Sequence, residues 1–258
     1  MFPMRSRAQR ITYQPGDSVF HRLHPLVKMA WLLFGSVLVF VLRSPWLVVT
    51  VVALLVLAFT LAGLRLDRVR GTRLFITTAL LLGLLQILFV HGGETLLQIG
   101  PLVITVGGLQ AAAYVAGRFL SVILLSYLFV LTTEPNDLAH ALMRAGVPYR
   151  YGFALITALR LVPVFEQEGQ TVYHAQLARG VQYDVRSPRR FVTLARQFFL
   201  PLLVSALGKV DALAVSMEGR CFGKYPTRTF VREVHATRLD WLAVGLLLAA
   251  ALAAALLG

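Results

Sequence analysis

The run from Trp46 to Leu64, WLVVTVVALLVLAFTLAGL, contains no Asp, Glu, Lys or Arg. A bilayer core asks for roughly 20 apolar residues per helix, so this run reads as a membrane span. Working outward, Leu26–Leu42 precedes it, with Lys28 near its start and Arg43-Ser44-Pro45 as a tight hairpin between the two. Leu74–Val90 follows, free of charge, then Leu109–Leu131, interrupted by Arg118, and finally Trp241–Leu257, rich in Leu and Ala. The 258 residues are 57% hydrophobic, with a mean hydropathy of +0.72 and only 14% charged side chains. A soluble domain carries about 25% charged residues. The expectation is an all-α integral membrane protein with five or six transmembrane helices. One substantial non-spanning region also fits in this length, but a separate soluble enzyme domain does not.

The charge is one-sided, 25 Lys and Arg against 12 Asp and Glu, formally +13. In a membrane protein such an excess belongs to cytoplasmic loops. No basic module interleaved with aromatics accompanies it, so nucleic acid is not an expected partner. Residues 1–28 hold five Lys or Arg, the 43–45 hairpin one, the Arg65–Arg73 loop four, the His91–Gly108 loop none, and residues 133–240 fourteen. High and low values alternate as each span is crossed. This predicts a cytoplasmic N-terminus and a cytoplasmic 133–240 segment. The chain then divides into N-terminal spans (1–132), a cytoplasmic helical region (133–240) and a C-terminal span (241–258). Met1–Arg22 is polar and basic and does not read as a signal peptide. The single cysteine, Cys221, allows no disulfide within the chain.

Within the cytoplasmic segment, Phe153–Gly180 and Arg189–Arg220 read as two long helices, with Pro163 and Pro201 as kink positions. They are too apolar for free solvation. Arg160 in the first, and Lys209 and Asp211 in the second, make them too charged for ordinary spans. The expectation is that they lie along or just under the membrane and pack on each other. Both end in the same way, Ala178-Arg179-Gly180 and Gly219-Arg220-Cys221-Phe222-Gly223, as imperfect echoes. The polar stretch Tyr183–Pro188 separates them. Ser205, Gly208, Ala212, Val215 and Gly219 recur at three- and four-residue spacing, a shallow seam that another helix could approach closely.

The chemistry of catalysis is missing from the sequence. No phosphate-cradling GxxxxGK[ST] loop, HExxH zinc helix or GxSxG elbow occurs. Of the six histidines, only His21 and His24 have helical ligand spacing, and Pro25 follows them, so His24 reads as a polar flank of the first span. The cluster His91-Gly92-Gly93-Glu94 reads as a solvated outer loop. Secondary transporters carry ionisable groups at mid-membrane because they handle ions there. Here only Arg118 qualifies, in a structural role or facing a partner protein. The energy for any transport must come from elsewhere.

Leu131-Thr132-Thr133-Glu134-Pro135-Asn136-Asp137-Leu138 resembles the Thr-Thr-x-Pro-x-Asp-Leu stretch of the T components of energy-coupling factor (ECF) transporters, the EcfT/CbiQ/BioN family. Ala158-Leu159-Arg160-Leu161-Val162-Pro163 is similar to their Ala-Leu-Arg-Phe-Ile-Pro stretch. His24-Pro25-Leu26-Val27-Lys28 matches the family's start. Ala175–Gly180 and Met217–Gly223 resemble the ends of its coupling helices. Five such pieces in register cover nearly the whole chain. The resemblance implies an L-shaped subunit that joins a substrate-binding S component to two ABC-type ATPases. The coupling helices present Arg-centred motifs to the ATPases, here Ala178, Arg179 and Gly180 in the first and Gly219 and Arg220 in the second. Where the family's second motif is commonly Ala-Arg-Gly, this chain has Gly219-Arg220-Cys221.

Physical chemistry is consistent with that role. An Arg at a helix C-terminus sits on the negative end of the dipole. Its planar five-donor head suits a carboxylate or carbonyl-lined pocket, and Gly after it lets the chain turn away. A plain C-cap accounts for either motif alone, but less well for both helices ending alike. The expected function is that of a non-catalytic coupling subunit in the inner membrane, in contact with lipid. It would bind no cofactor or metal itself, would use ATP only through its partners, and would serve uptake of a vitamin or of cobalt or nickel. The rival readings are a self-sufficient secondary transporter, an intramembrane enzyme and a conventional ABC permease. The first predicts mid-membrane acids or broken helices and the second paired catalytic groups at one depth. The third usually has one coupling helix per subunit.

Overall fold

Pro25 and Pro45 both stand at the first position of a helix, where a proline loses no hydrogen bond and its fixed φ suits the turn. They open α2 (Pro25–Val41) and α3 (Pro45–Leu61), which follow a single turn, α1 (Val19–Arg22). Next come α4 (Thr72–Phe89), strands β1 (Thr95–Ile99) and β2 (Leu102–Thr105), and α5 (Val106–Thr132). The chain continues with α6 (Pro135–Arg144), α7 (Tyr149–Ala178), α8 (Pro188–Gly219) and α9 (Arg238–Leu257). This computed structural model describes residues 13–14, 16, 18–64, 71–99, 102–183, 187–225 and 237–257. Arg65, Arg68 and Arg70 of the basic loop, and the basic residues before Tyr13, lie outside the described residues. The chain divides into two compact units, residues 1–141 with 234–258, and residues 142–233.

In the first unit α5 is the central post, packed by α2, α3 and α4. At 27 residues it is about 40 Å long. Small residues on its flank admit the neighbours. A Cβ on Gly117 would stand 2.6 Å from Cγ1 of Val48, and Ala112 and Ala116 face Gly83 of α4. Phe59, Leu124, Tyr127 and Leu131 form the buried core, whereas Phe34, Leu54, Leu80 and Leu84 are exposed. Large apolar groups pointing outward around helices that meet at small residues are what a helix bundle in lipid presents. Among the described residues, α4, α5 and α8 are long and apolar enough to cross a membrane, and α2 and α3 are apolar but shorter. The protein is therefore an all-α membrane protein in its helical architecture.

Two elements depart from the expected outline. The loop before Gly108, expected on the outside, folds into an antiparallel hairpin, pairing Gln98 with Val103 and Ile99 with Leu102. The aliphatic and β-branched residues on both sides of Gly100-Pro101 favour strands; read only for its lack of charge, the loop gave no sign of them. The stretch after Thr133 begins α6 at Pro135, with Asp137 in its first turn, where a carboxylate complements the helix dipole.

Candidate functional site

The second unit is a helical hairpin with its chemistry at the two ends. Gln176 Nε2 of α7 donates to the carbonyl of Gln197 in α8 at 3.1 Å, and Glu168 of α7 meets Ser205 and Lys209 of α8. Phe153 near the start of α7 stacks on Phe222 just past the end of α8, with ring centroids 4.6 Å apart. Residues rising along one helix thus meet residues falling along the other, so the pair is antiparallel. Both helices run uninterrupted across Pro163 and Pro201.

α7 stops at Ala178. Arg179 is its C-cap and Gly180 takes φ +82°. The Gly180 N–H donates to Leu177 O at 2.9 Å and the Val181 N–H to Gln176 O at 3.0 Å, the two bonds of a Schellman cap. α8 stops at Gly219 in the same geometry. Arg220 is the C-cap, Cys221 takes φ +53°, the Cys221 N–H donates to Glu218 O at 2.9 Å, and the Phe222 N–H donates to Met217 O at 3.0 Å. Cys221 is the only non-glycine with a left-handed φ among the described residues. Each cap is backed by aromatic rings. Phe222 lies against Tyr149 and Phe153, and Tyr183 stacks on Tyr173 at 4.9 Å. Burial pushes the Tyr183 phenol up, and Tyr173 adds to the shift. Arg179 and Arg220 are both exposed, and neither guanidinium has a hydrogen-bond or ion-pair partner among the described residues.

The two sequence-predicted motifs therefore share one conformation but do not converge. Because the helices are antiparallel, they sit at opposite ends of the hairpin. Arg179 lies eleven residues beyond Glu168 and Arg220 eleven beyond Lys209, about 16 Å each at 1.5 Å per residue, so the arginines are roughly 33 Å apart along the axes. Between them, the Glu168 carboxylate accepts from Ser205 Oγ at 2.8 Å and from Lys209 Nζ at 3.0 Å. The bonds from Lys209 and Ser205 hold the Glu168 carboxyl below its ordinary range. Of the small-residue seam, Ser205 bonds α7 through Glu168. A Cβ on Gly208 or Gly219 would meet nothing within 4 Å, so the seam's remaining glycines are open. Glu168, Tyr183 and the aromatics around Phe222 were missed by sequence reasoning. The equal eleven-residue spacing to each arginine was the available signal.

In the first unit two other quoted motifs meet. Buried Lys28 donates from Nζ to the carbonyl of Thr132 at 2.8 Å and to that of His21 at 3.2 Å. His24 caps α2, its Nδ1 accepting from the Leu26 N–H, while its own backbone N–H donates to Asp240 Oδ1 at 2.6 Å. The other Asp240 oxygen accepts the Thr237 N–H, a capping box that ties α9 to the start of α2. Arg118 has a structural role: one terminal nitrogen donates to the carbonyls of Leu42 at 2.9 Å and Phe40 at 3.3 Å, closing the C-terminal end of α2, and the guanidinium lies over the Tyr114 ring.

A model of the CbiQ family, described as cobalt transport protein, matches residues 16–230. The energy-coupling factor transporter transmembrane protein EcfT of Streptococcus equi subsp. equi (strain 4047) is 32% identical over 246 residues, 90% of each chain. The protein of that name from Bacillus selenitireducens is 32% identical over 258 residues, 94% of each chain. That from Bacillus subtilis (strain 168) is 31% identical over 242 residues, 88% of this chain and 89% of its own. The chain belongs to the CbiQ/EcfT family, the transmembrane T components of energy-coupling factor transporters.

Proposed function

We propose that this T component couples ATP hydrolysis by two ABC-type ATPases to movement of a substrate-binding S component, and that Arg179 and Arg220 each seat in one ATPase. The chain hydrolyses no ATP and binds no cofactor of its own. It sits in the cell's inner membrane with its N-terminus and hairpin on the cytoplasmic side. The cargo is a vitamin or a transition-metal ion such as cobalt or nickel, chosen by the S component. One observation carries this reading: two exposed arginines in identical caps, at opposite ends of one helical hairpin, roughly 33 Å apart. Two side-by-side partners need two such contacts, whereas a helix cap needs no arginine at all. Arg also suits a carbonyl- or carboxylate-lined groove better than Lys does, because its fork bonds bidentately. The test is co-purification of the ATPases with wild type, Arg179→Glu, Arg220→Glu and the double variant, with membrane insertion checked for each. Wild type should retain both ATPases and the double variant neither. Equal retention by the double variant would reduce both motifs to helix caps.

A further inference from the structure

We propose that the Glu168–Ser205–Lys209 cluster is a positioning clamp that fixes the span between Arg179 and Arg220, so that the two ends of the α7–α8 hairpin move as one body. The inference rests on the coupling reading and adds what keeps the two contacts in register.

The Glu168–Lys209 salt bridge joins the two long helices at the midpoint between the arginines. Its side chains are 31% and 33% exposed, so simple stability is a weak reason for its presence: ion pairs of such exposure contribute little. Elsewhere on the same two helices Phe165, Leu202, Leu203 and Ala206 line a largely apolar hollow, with Arg196 at it. Apolar contacts between helices slide at low cost, whereas a charged triangle does not. Lys209 Nζ bonds both Glu168 Oε2 and Ser205 Oγ, and Ser205 Oγ bonds Glu168 Oε1, so three side chains on two helices close a ring. A one-turn slip breaks both bonds to Glu168, which is the register-fixing use of a polar group in an apolar contact. From the clamp to each arginine runs eleven residues of helix with no proline. Pro163 and Pro201 both lie on the N-terminal side of the clamp. Both arms are therefore plain α-helix, and the clamp relates them at their midpoint, with the Gln176–Gln197 bond nearer the Arg179 end.

The test uses the full complex of this chain, both ATPases and an S component in lipid nanodiscs. Nitroxides are placed at His174→Cys and Ser216→Cys on a Cys221→Ser background. Magnetic-resonance distances are measured without nucleotide and after trapping with MgATP and vanadate. The labelled parent should give one narrow distribution, the same in both states. Glu168→Met with Lys209→Met, which leaves no charge unpaired, should widen it at least twofold and make it differ between states while both ATPases still co-purify. The exchange Glu168→Lys with Lys209→Glu should restore the narrow distribution, which a merely space-filling role would not do. An unchanged narrow distribution in the double Met variant overturns the clamp and leaves the coupling reading intact. Failure of the parent to hold the ATPases overturns the coupling reading and the clamp with it.

Discussion

The two motifs each carry a glycine, and the backbone assigns those glycines opposite roles. Gly180 has φ +82° and follows the cap; Gly219 is the last helical residue of α8. A Cβ at either position would meet nothing within 4 Å, so substitution by alanine tests backbone conformation alone. At Gly180 the alanine must adopt the left-handed region, which costs roughly 1–2 kcal/mol for an L-residue. At Gly219 the alanine gains helix propensity, roughly 0.5–1 kcal/mol relative to glycine. Local hydrogen exchange reads such differences directly, because a kilocalorie or so is roughly a fivefold change in an opening equilibrium. Gly180→Ala should lower amide protection over residues 177–181 by about fivefold or more. Gly219→Ala should raise it over residues 217–222 by about two- to fivefold. Both should leave the first unit unchanged. If the two substitutions shift protection in the same direction, the assignment of one glycine to the turn and the other to the helix is refuted.

Lys28→Met should destabilise the chain in detergent by about 3 kcal/mol, because it leaves Asp137 and Asp240 nearby without the buried cation and strips the Thr132 carbonyl of its donor; the unfolding midpoint in a denaturing-detergent titration checks it. Arg118→Ala should cost about 2 kcal/mol in the same assay, the scale of hydrogen bonds from a charged donor, and Arg118→Lys should recover only part of that because an ammonium lacks the planar face that lies over the Tyr114 ring. The clamp also has a pH dependence. The folded Glu168 carboxyl lies below its ordinary value, so its contribution is fully present above the ordinary glutamate range near about pH 4.3 and is lost as pH falls through the lowered folded value. The 174–216 distance distribution should therefore hold from neutral pH down to that range and widen only below it.

The long helices were legible because their signals are local. Charge-free runs mark the spans. Prolines at 25, 45 and 188 mark starts, and Arg-Gly marks an end. Arg118 shows where local reading stops. The sequence placed a charge inside a span, but its partners are carbonyls of Phe40 and Leu42, more than seventy residues away, and nothing in the local pattern announces an accepting helix end. The hairpin at Thr95–Thr105 was hidden for another reason: its lack of charge was used for orientation, and its aliphatic and β-branched content on either side of Gly100-Pro101 was not weighed. The caps at Arg179 and Arg220 were legible as a matching pair of helix ends but not in their placement, since only the antiparallel packing of α7 on α8 puts them at opposite ends. The small-residue seam shows the converse failure. Its periodicity is real in the sequence, yet Gly208 and Gly219 meet no neighbour within this chain.

The Schellman geometry also closes α3, through Gly63 and Leu64, and follows α6, through Gly146 and Val147. The cap therefore cannot be what distinguishes the candidate site. At those two ends the capping residue is Ala62 or Ala145, and at the hairpin ends it is Arg. The distinction extends to the relation between the two. Adding 41 to Glu168, Arg179, Gly180 and Val181 gives Lys209, Arg220, Cys221 and Phe222. An antiparallel helix pair with matched positions has a local two-fold axis across it, here passing by the clamp. In the proposed role that is the symmetry required, because two ATPases of one fold facing each other present two equivalent grooves related by a two-fold. The pairings that break the match then become informative. Glycine faces cysteine across the axis, and Pro163 and Pro201 are separated by 38 residues where the axis asks for 41. A subunit built for two identical ATPases gains nothing from such differences. One that must seat two different ATPases in a fixed order can use them to tell one end from the other.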